Sequence, residues 1–391
     1  MPRREYLEEI KKKQFASKQD FIKFRTQILP KFQKQTIQDS GVFQSKSIFV
    51  GEYGYPSVSV GLLSTQKFDK HEDIPSWVKE KWSLSQIAEK RIDLLNAKSV
   101  VAISQPNDLN EKQEIALAKK PVQTEMNLEH KNGSISFSSY HMPIGPSRIL
   151  EKLSLSENPS IDTRVQNVIS DTDLDASSGL ATLYKKGFRP EFLTQALTSG
   201  SLGINRKLVP TRWGITAVDD TVGKELLVNI RHLQTIGNKV FQGSYMGNYF
   251  FVLLHEGNFS YELYEFFRDA DTYSTDYENF SGRKNYAKDT AGGYYAARLP
   301  VLEWMDRSKR QSKALVVRFI TDEYYMPLGV WVVREAVTKT LESKPLEFGS
   351  EELMLSYLVQ GSKKKFNRDL SWLKNKSKLL KELKQKSLSE Y

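Results

Sequence analysis

Cysteine is absent from the 391 residues. Disulfides, thiolate zinc sites and cysteine nucleophiles are therefore excluded, and zinc is not an expected cofactor. Long apolar runs are missing as well. No stretch of roughly 18 uncharged apolar residues occurs, so no membrane span or membrane partner is expected. Histidine is scarce, with five in the chain: His71, His130, His141, His232 and His255. None of them shows the i, i+4 pairing of a helical zinc site. The start, Met1-Pro-Arg-Arg-Glu, has no apolar segment behind its charges, which argues against a secretory signal. No P-loop, no Rossmann glycine fingerprint and no serine nucleophile elbow is present.

What is there is enough to fold. Hydrophobic residues make up 39% and aromatics 11% of the chain. The length suits one large or two intimately packed domains. Net charge is +10, and its location matters more than its size. Residues 1–35 carry +6 and residues 361–391 carry +7, which leaves −3 for residues 36–360. Basic ends on a slightly acidic body point to terminal arms that meet a polyanion, with DNA the first candidate. The plain alternative is that Lys-rich helices are simply well solvated.

Pattern assigns the elements. Ser17 and Asp20 have capping-box spacing, and Phe21, Phe24 and Ile28 then recur at helical intervals before Pro30. Residues 47–63 read as strand, Gly/Pro turn, strand. A helix is expected from Ser83 to Asn96 and a short strand from Val100 to Ile103. Residues 147–203 read as mainly helical, with Pro190 at the first turn of one helix. Residues 208–218 read as strand, followed by a helix from Thr221 to Leu233. Asn248 to Phe267 reads as a β-hairpin with His255-Glu-Gly-Asn at its turn. A polar connection covers 270–293, Arg298 to Met305 is helical, Ala314 to Ile320 is a buried strand, and Val330 to Val337 fits strand or helix. The fold class is α+β: a compact central mixed-sheet body with helical N- and C-terminal segments. The expected divisions are a basic helical segment at 1–40, the two parts of the body at 41–203 and 204–360, a basic C-terminal helix at 361–384, and a terminal peptide at 385–391.

Several phrases occur together and in order. They are Phe49-Val-Gly-Glu-Tyr-Gly-Tyr-Pro-Ser-Val-Ser-Val-Gly, Val209-Pro-Thr-Arg-Trp-Gly-Ile-Thr-Ala-Val-Asp-Asp and Asn248-Tyr-Phe-Phe-Val-Leu-Leu-His-Glu-Gly. Ala291-Gly-Gly-Tyr-Tyr-Ala-Ala-Arg-Leu and Pro327-Leu-Gly-Val-Trp-Val-Val-Arg-Glu follow. In these phrases the chain resembles the archaeal Nre family, from about residue 45 to its C-terminus. The resemblance implies a role in the response to DNA damage, a partnership with the sliding clamp PCNA, and a cytoplasmic, nucleoid-associated location. Many members of the family carry N-terminal cysteines in a zinc-ribbon-like arrangement, and this sequence has none.

The last seven residues fit the partnership. Clamp-docking peptides place a Gln, then an aliphatic residue three positions on, then aromatics. Residues at i and i+3 of a short 3₁₀-like turn share one face and enter an apolar pocket together. The Gln amide adds directional hydrogen bonds. Gln385, Leu388 and Tyr391 have this spacing, without the usual second aromatic. As a lone pattern it is weak; its place behind a basic segment and the family resemblance strengthen it. Phe366, Leu370, Leu373, Leu380 and Leu383 give that segment an apolar stripe, interrupted at Ser377.

The body offers a second, enzymatic reading: a phosphoesterase, either a repair nuclease or a phosphatase. Arg212 with Asp219 and Asp220 is the most enzyme-like phrase. Two adjacent carboxylates at a strand end can bind a divalent metal or share acid/base work, and Arg212 can hold phosphate. The plain alternative makes Asp220 a helix cap and Trp213 a core residue. His255 and Glu256 can serve as acid, base or nucleophile, or can simply form a turn. Asp171, Asp173 and Asp175 hint at a calcium loop but lack its Gly and Glu, so caps explain them better. Arg283 and Lys284, after Ser281-Gly, are a candidate phosphate cradle. Lys363, Lys364, Lys365 and Arg368 are candidate DNA contacts.

Overall fold

The computed structural model describes residues 22, 26, 38–66, 73–104, 109–130, 134–136, 142–267 and 272–384. The expected helix around Ser17 and Asp20 and the peptide Gln385–Tyr391 lie outside the described residues. The chain forms two compact units that divide between Val222 and Gly223. Both mix helices with sheets, so the fold class is α+β as expected. No described helix is long and apolar enough to cross a membrane.

The first unit is built on β1 (Ser40–Val50), β2 (Ser57–Thr65), α1 (Ile74–Lys79), α2 (Leu84–Ile92), β3 (Leu95–Ala102), α3 (Asn110–Leu117), β4 (Val122–Leu128), β5 (Ser134–Ser136) and β6 (Ile144–Leu155). Helices α4 (Thr163–Ser170), α5 (Ala176–Lys185), α6 (Pro190–Thr198) and α7 (Thr211–Ile230) follow. The unit boundary falls inside α7. The strands hydrogen-bond in the order β3-β2-β1-β4-β6, and β6 pairs again with β3. The sheet therefore closes into a five-stranded barrel. The closing pair, Asn96–Lys98 with Ser147–Ile149, is parallel, while the other four barrel pairs are antiparallel. Alternation puts Val58, Val60 and Leu62 of β2 inside with Ile48, Val50, Leu95, Ala97 and Met126. Ile115 and Ala116 of α3 join the same core.

Helix capping follows the expected chemistry. Ser83 and Gln86 form a reciprocal capping box at α2. Asp162 and Asp175 accept backbone N–H groups at the starts of α4 and α5, and Pro190 opens α6. The aspartates at 171–175 thus include a cap, as the pattern suggested. Two expectations fail here. Residues 144–155 are a strand rather than part of a helical run. Residues 211–218, read as strand, are the first two turns of α7. Their β-branched residues carry a strand signal, but Gly214 lets α7 approach α6 closely: a Cβ there would lie 2.4 Å from Thr198 Cγ2. Packing overrides local propensity at this helix.

The second unit contains β7 (Gln234–Thr235), β8 (Lys239–Tyr245), β9 (Asn248–His255), β10 (Ser260–Phe267), β11 (Tyr273–Glu278), α8 (Ala291–Ser308), β12 (Arg310–Gln311), β13 (Lys313–Ile320), α9 (Trp331–Glu342), β14 (Leu346–Glu347), α10 (Glu351–Phe366), α11 (Leu373–Lys376) and α12 (Lys378–Lys384). Its sheet runs β11-β10-β13-β9-β8-β14. The expected hairpin of β9 with β10 does not form. β13 inserts between them, antiparallel to β9 and parallel to β10. The run Ala314-Leu-Val-Val is apolar on both faces, which suits the centre of a sheet covered on both sides. Phe251, Leu253, Leu315 and Val317 share a cluster with Met354, Leu358, Leu370, Leu373 and Leu380. The leucines of the basic C-terminal segment are thus core residues. That segment is not one helix, because α10 ends at Asn367 in a left-handed conformation and two short helices follow. β11 was missed within the polar connection at 270–293.

One buried charge gives a pH signature. Lys112 of α3 is 4% exposed, and its Nζ donates to Val60 O at 3.2 Å and Ser99 Oγ at 2.5 Å. Burial pushes its ammonium down from the ordinary 10.5 to about 8. The unfolded chain therefore holds this proton more tightly than the folded one. The cost is complete below about 8 and is relieved as pH rises toward 10.5. In urea unfolding across that window, the parent protein should gain stability relative to Lys112→Met as pH increases. Parallel curves would contradict this account of Lys112.

Candidate functional site: an exposed aromatic loop and a buried charged cluster

The β1–β2 loop, residues 51–56, is the most open polar-aromatic feature of the first unit. Its turn is held by Ser57 N donating to Gly54 O at 2.9 Å. Tyr53 is 78% exposed and Tyr55 48%. The start of α7 packs beside it. Thr211 Oγ1 accepts from Val50 N at 2.8 Å, Arg212 Nη1 donates to Glu52 Oε1 at 3.3 Å, and the Trp213 ring centroid lies 6.0 Å from that of Tyr55. Trp213 is 43% exposed, so it is not the core residue that one reading made it. No other Phe, Tyr or Trp of this unit is exposed among the described residues. The sequence placed these residues in two of the phrases that carry the family resemblance, without indicating that three rings would face solvent together.

The enzyme-like phrase is divided differently from expectation. Arg212, Asp219 and Asp220 all lie on α7, with Asp219 and Asp220 in the helix interior rather than at a strand end or an N-cap. Asp219 lies seven positions after Arg212, about 10 Å along the axis. Both aspartates are buried. His255 and Glu256 belong to the second unit, at and just after the end of β9. His255 is fully buried, and its Nδ1 is 3.6 Å from Glu351 Oε1. The imidazole holds that carboxyl below its usual range. Glu256 is exposed. Among the described residues no three metal-ligating side chains converge on one point. A divalent metal therefore has no clustered donor set there.

The candidate phosphate contacts also separate. Arg283 donates to Asn285 O, Tyr277 O and Tyr286 O, pairs with Asp276 at 3.1 Å and lies over the Tyr294 ring. Its guanidinium is thus engaged both by its own loop and by β11. Lys284 is exposed. Lys363, Lys364 and Lys365 are exposed at the end of α10, with the Lys365 ammonium 3.9 Å over the Tyr249 ring. Arg368 is half-buried, and one of its bonds goes to Phe267 O.

Sequence reasoning missed a dense buried polar cluster on β10, β11 and α8. Asp276 accepts from the backbone N–H of Lys288, Asp289 and Thr290 and from the Thr290 hydroxyl, fastening the loop before α8. Glu262 accepts from Ser377 Oγ, Lys378 N and Leu379 N, a negative charge at the N-terminus of α12. Glu278 and Arg298 form a pair at 2.5 Å, with side chains 1% and 3% exposed. Arg318 joins Glu265 and Asn248. Burial raises the Glu265 carboxyl despite Arg318. Gly293 makes room for it, since a Cβ there would meet Glu265 Oε1 at 2.7 Å. A cleft of about 410 Å³ opens beside this cluster, lined by Glu262, Asp276, Tyr277, Glu278, Arg283 and Lys378 among others. Its carboxylates are already engaged in holding the unit together, which makes the cleft a structural polar core open on one side.

The comparisons with known proteins bear on the whole chain. Residues 20–274 match the family described as archaeal Nre, N-terminal, and residues 278–391 match archaeal Nre, C-terminal. The chain belongs to the archaeal Nre family. It is 33% identical over 338 residues to DNA repair protein NreA of Haloferax volcanii, covering 80% of each chain. It is 36% identical over 338 residues to DNA repair protein NreA of Archaeoglobus fulgidus, covering 82% of this chain and 85% of that one. To DNA repair protein NreB of the same organism it is 31% identical over 379 residues, covering 93% and 95%. No solved structure matches it. The family's two regions meet near β11, whereas this chain's compact units divide inside α7.

The Glu278–Arg298 pair gives a direct stability test. Arg298→Met should cost about 3–5 kcal/mol in denaturant unfolding, because it strands a buried carboxylate. Adding Glu278→Leu should recover most of that loss. A single variant as stable as the parent would show that the pair is not fully desolvated.

Proposed function

We propose that this Nre chain acts in DNA repair and is brought to DNA by the sliding clamp PCNA through Gln385, Leu388 and Tyr391. Family membership over almost the whole chain carries the repair role, since the relatives above are named DNA repair proteins. Docking is supported by the spacing of the three residues within the terminal peptide. The Lys-rich ends supply attraction to phosphate, including Lys363, Lys364 and Lys365. A cytoplasmic, nucleoid-associated protein follows from this reading. The phosphoesterase reading draws no support from the described side chains. Asp219, Asp220 and His255 are buried, and its candidate residues belong to two different units.

Calorimetry with the purified clamp tests the docking. Leu388→Ala with Tyr391→Ala should abolish measurable binding, and an unchanged affinity would remove the proposal. The DNA contact has its own signature. If six or more phosphates are neutralised, duplex affinity should fall roughly a thousandfold or more between about 50 and 200 mM salt. A salt-independent affinity would contradict binding by the basic ends.

A further inference from the structure

The topology of the first unit selects one face of its barrel. In chain order its five barrel strands are β1, β2, β3, β4 and β6, and around the barrel they run β1-β2-β3-β6-β4. The third and fifth are parallel, and α3 lies between the third and fourth. This is the Greek-key order of the oligonucleotide/oligosaccharide-binding barrel. Such barrels hold their ligands on the outer face of the second and third strands, with the loop between the first and second.

The residues on that face have the chemistry of a nucleic-acid platform. The first-to-second-strand loop is 51–56, with the exposed Tyr53 and Tyr55, and Trp213 of α7 stands against Tyr55. Outward positions on β2 and β3 include Ser57, Ser59, Lys98 and Val100, with Val100 75% exposed. Neither strand contains an Asp or Glu. Arg212 is part of the same cluster and has five N–H donors, of which Glu52 engages one. From Lys98 to Ala102, at the loop end, the strand spans about 13 Å.

We propose that this face binds single-stranded nucleic acid, with bases stacked on Tyr53, Tyr55 and Trp213 and backbone phosphates met by Lys98 and Arg212. Stacking needs unpaired bases, because a duplex hides their faces, and it tolerates any sequence because every base has a π-face. An oligosaccharide would also stack on aromatic rings. The repair reading favours nucleic acid, and the inference rests on it to that extent. It does not depend on clamp docking, and no clamp is present in its test.

The test is fluorescence anisotropy of the full chain with labelled dT12, rU12 and a 12-base-pair duplex. Tyr55→Ala with Trp213→Ala should weaken binding of a single-stranded oligomer at least tenfold. The melting temperature should be unchanged, since both rings are exposed. Tyr55→Phe with Trp213→Phe should keep the affinity, as a purely ionic site would not distinguish the two double variants. A loss seen with dT12, rU12 or both supports the site and tells which sugar it accepts. The proposal is overturned if the alanine variant binds both oligomers like the parent. An equal loss for the duplex, or no single-strand binding by the parent at 50 mM salt, would overturn it too.

Discussion

Three residues of parallel pairing, Asn96–Lys98 against Ser147–Ile149, convert an open sheet into a closed barrel. Closure removes the two unpaired edges that a five-stranded sheet would otherwise present. It also requires β6 to begin tight against the end of α2 and the start of β3. Gly145 permits this, because a Cβ there would fall 2.1 Å from Leu94 O and 2.2 Å from Ile92 O. With the seam shut, the interior fills with Val58, Val60, Leu62 and their partners. The outward positions of β2 and β3 are then left for solvent or a ligand.

The second unit solves a different problem. Its central strands are apolar on both faces and are covered by α8 and α9 on one side and by α10 to α12 on the other. The edge at β10 and β11 is instead rich in acid: Glu262, Glu265, Asp276 and Glu278. Each of these carboxylates is satisfied by an arginine, a helix N-terminus or loop N–H groups. Ionised groups this deeply buried are tolerable only when so engaged. Ser377, which breaks the leucine stripe, is there to meet Glu262.

Much of this was legible in the sequence where a pattern is local. The strand–turn–strand at 47–63, the helix opened by Pro190 and the aspartate caps all rest on neighbouring residues. What failed was non-local. β9 and β10 were recognised as strands, but nothing within them shows that β13 would come between. Residues 211–218, within the stretch read as strand, are helix because of packing that Gly214 makes possible. Arg283, a candidate phosphate contact by its neighbours in sequence, pairs with Asp276. The family phrases located the β1–β2 loop and the start of α7 without showing that their rings share one exposed surface. Exposure is a property of the folded chain, and a tyrosine in sequence carries no sign of it.

The proposed nucleic-acid face lies on the barrel of this Nre chain and shares no residue with its basic ends. Photo-crosslinking of the full chain to an oligonucleotide carrying 5-iodouracil, followed by peptide mapping, tests it most directly. Crosslinks should fall at Tyr53, Tyr55 and Trp213 and should persist when salt is raised enough to strip purely ionic contacts. Crosslinks confined to the Lys-rich terminal segments, lost together as salt rises, would contradict it.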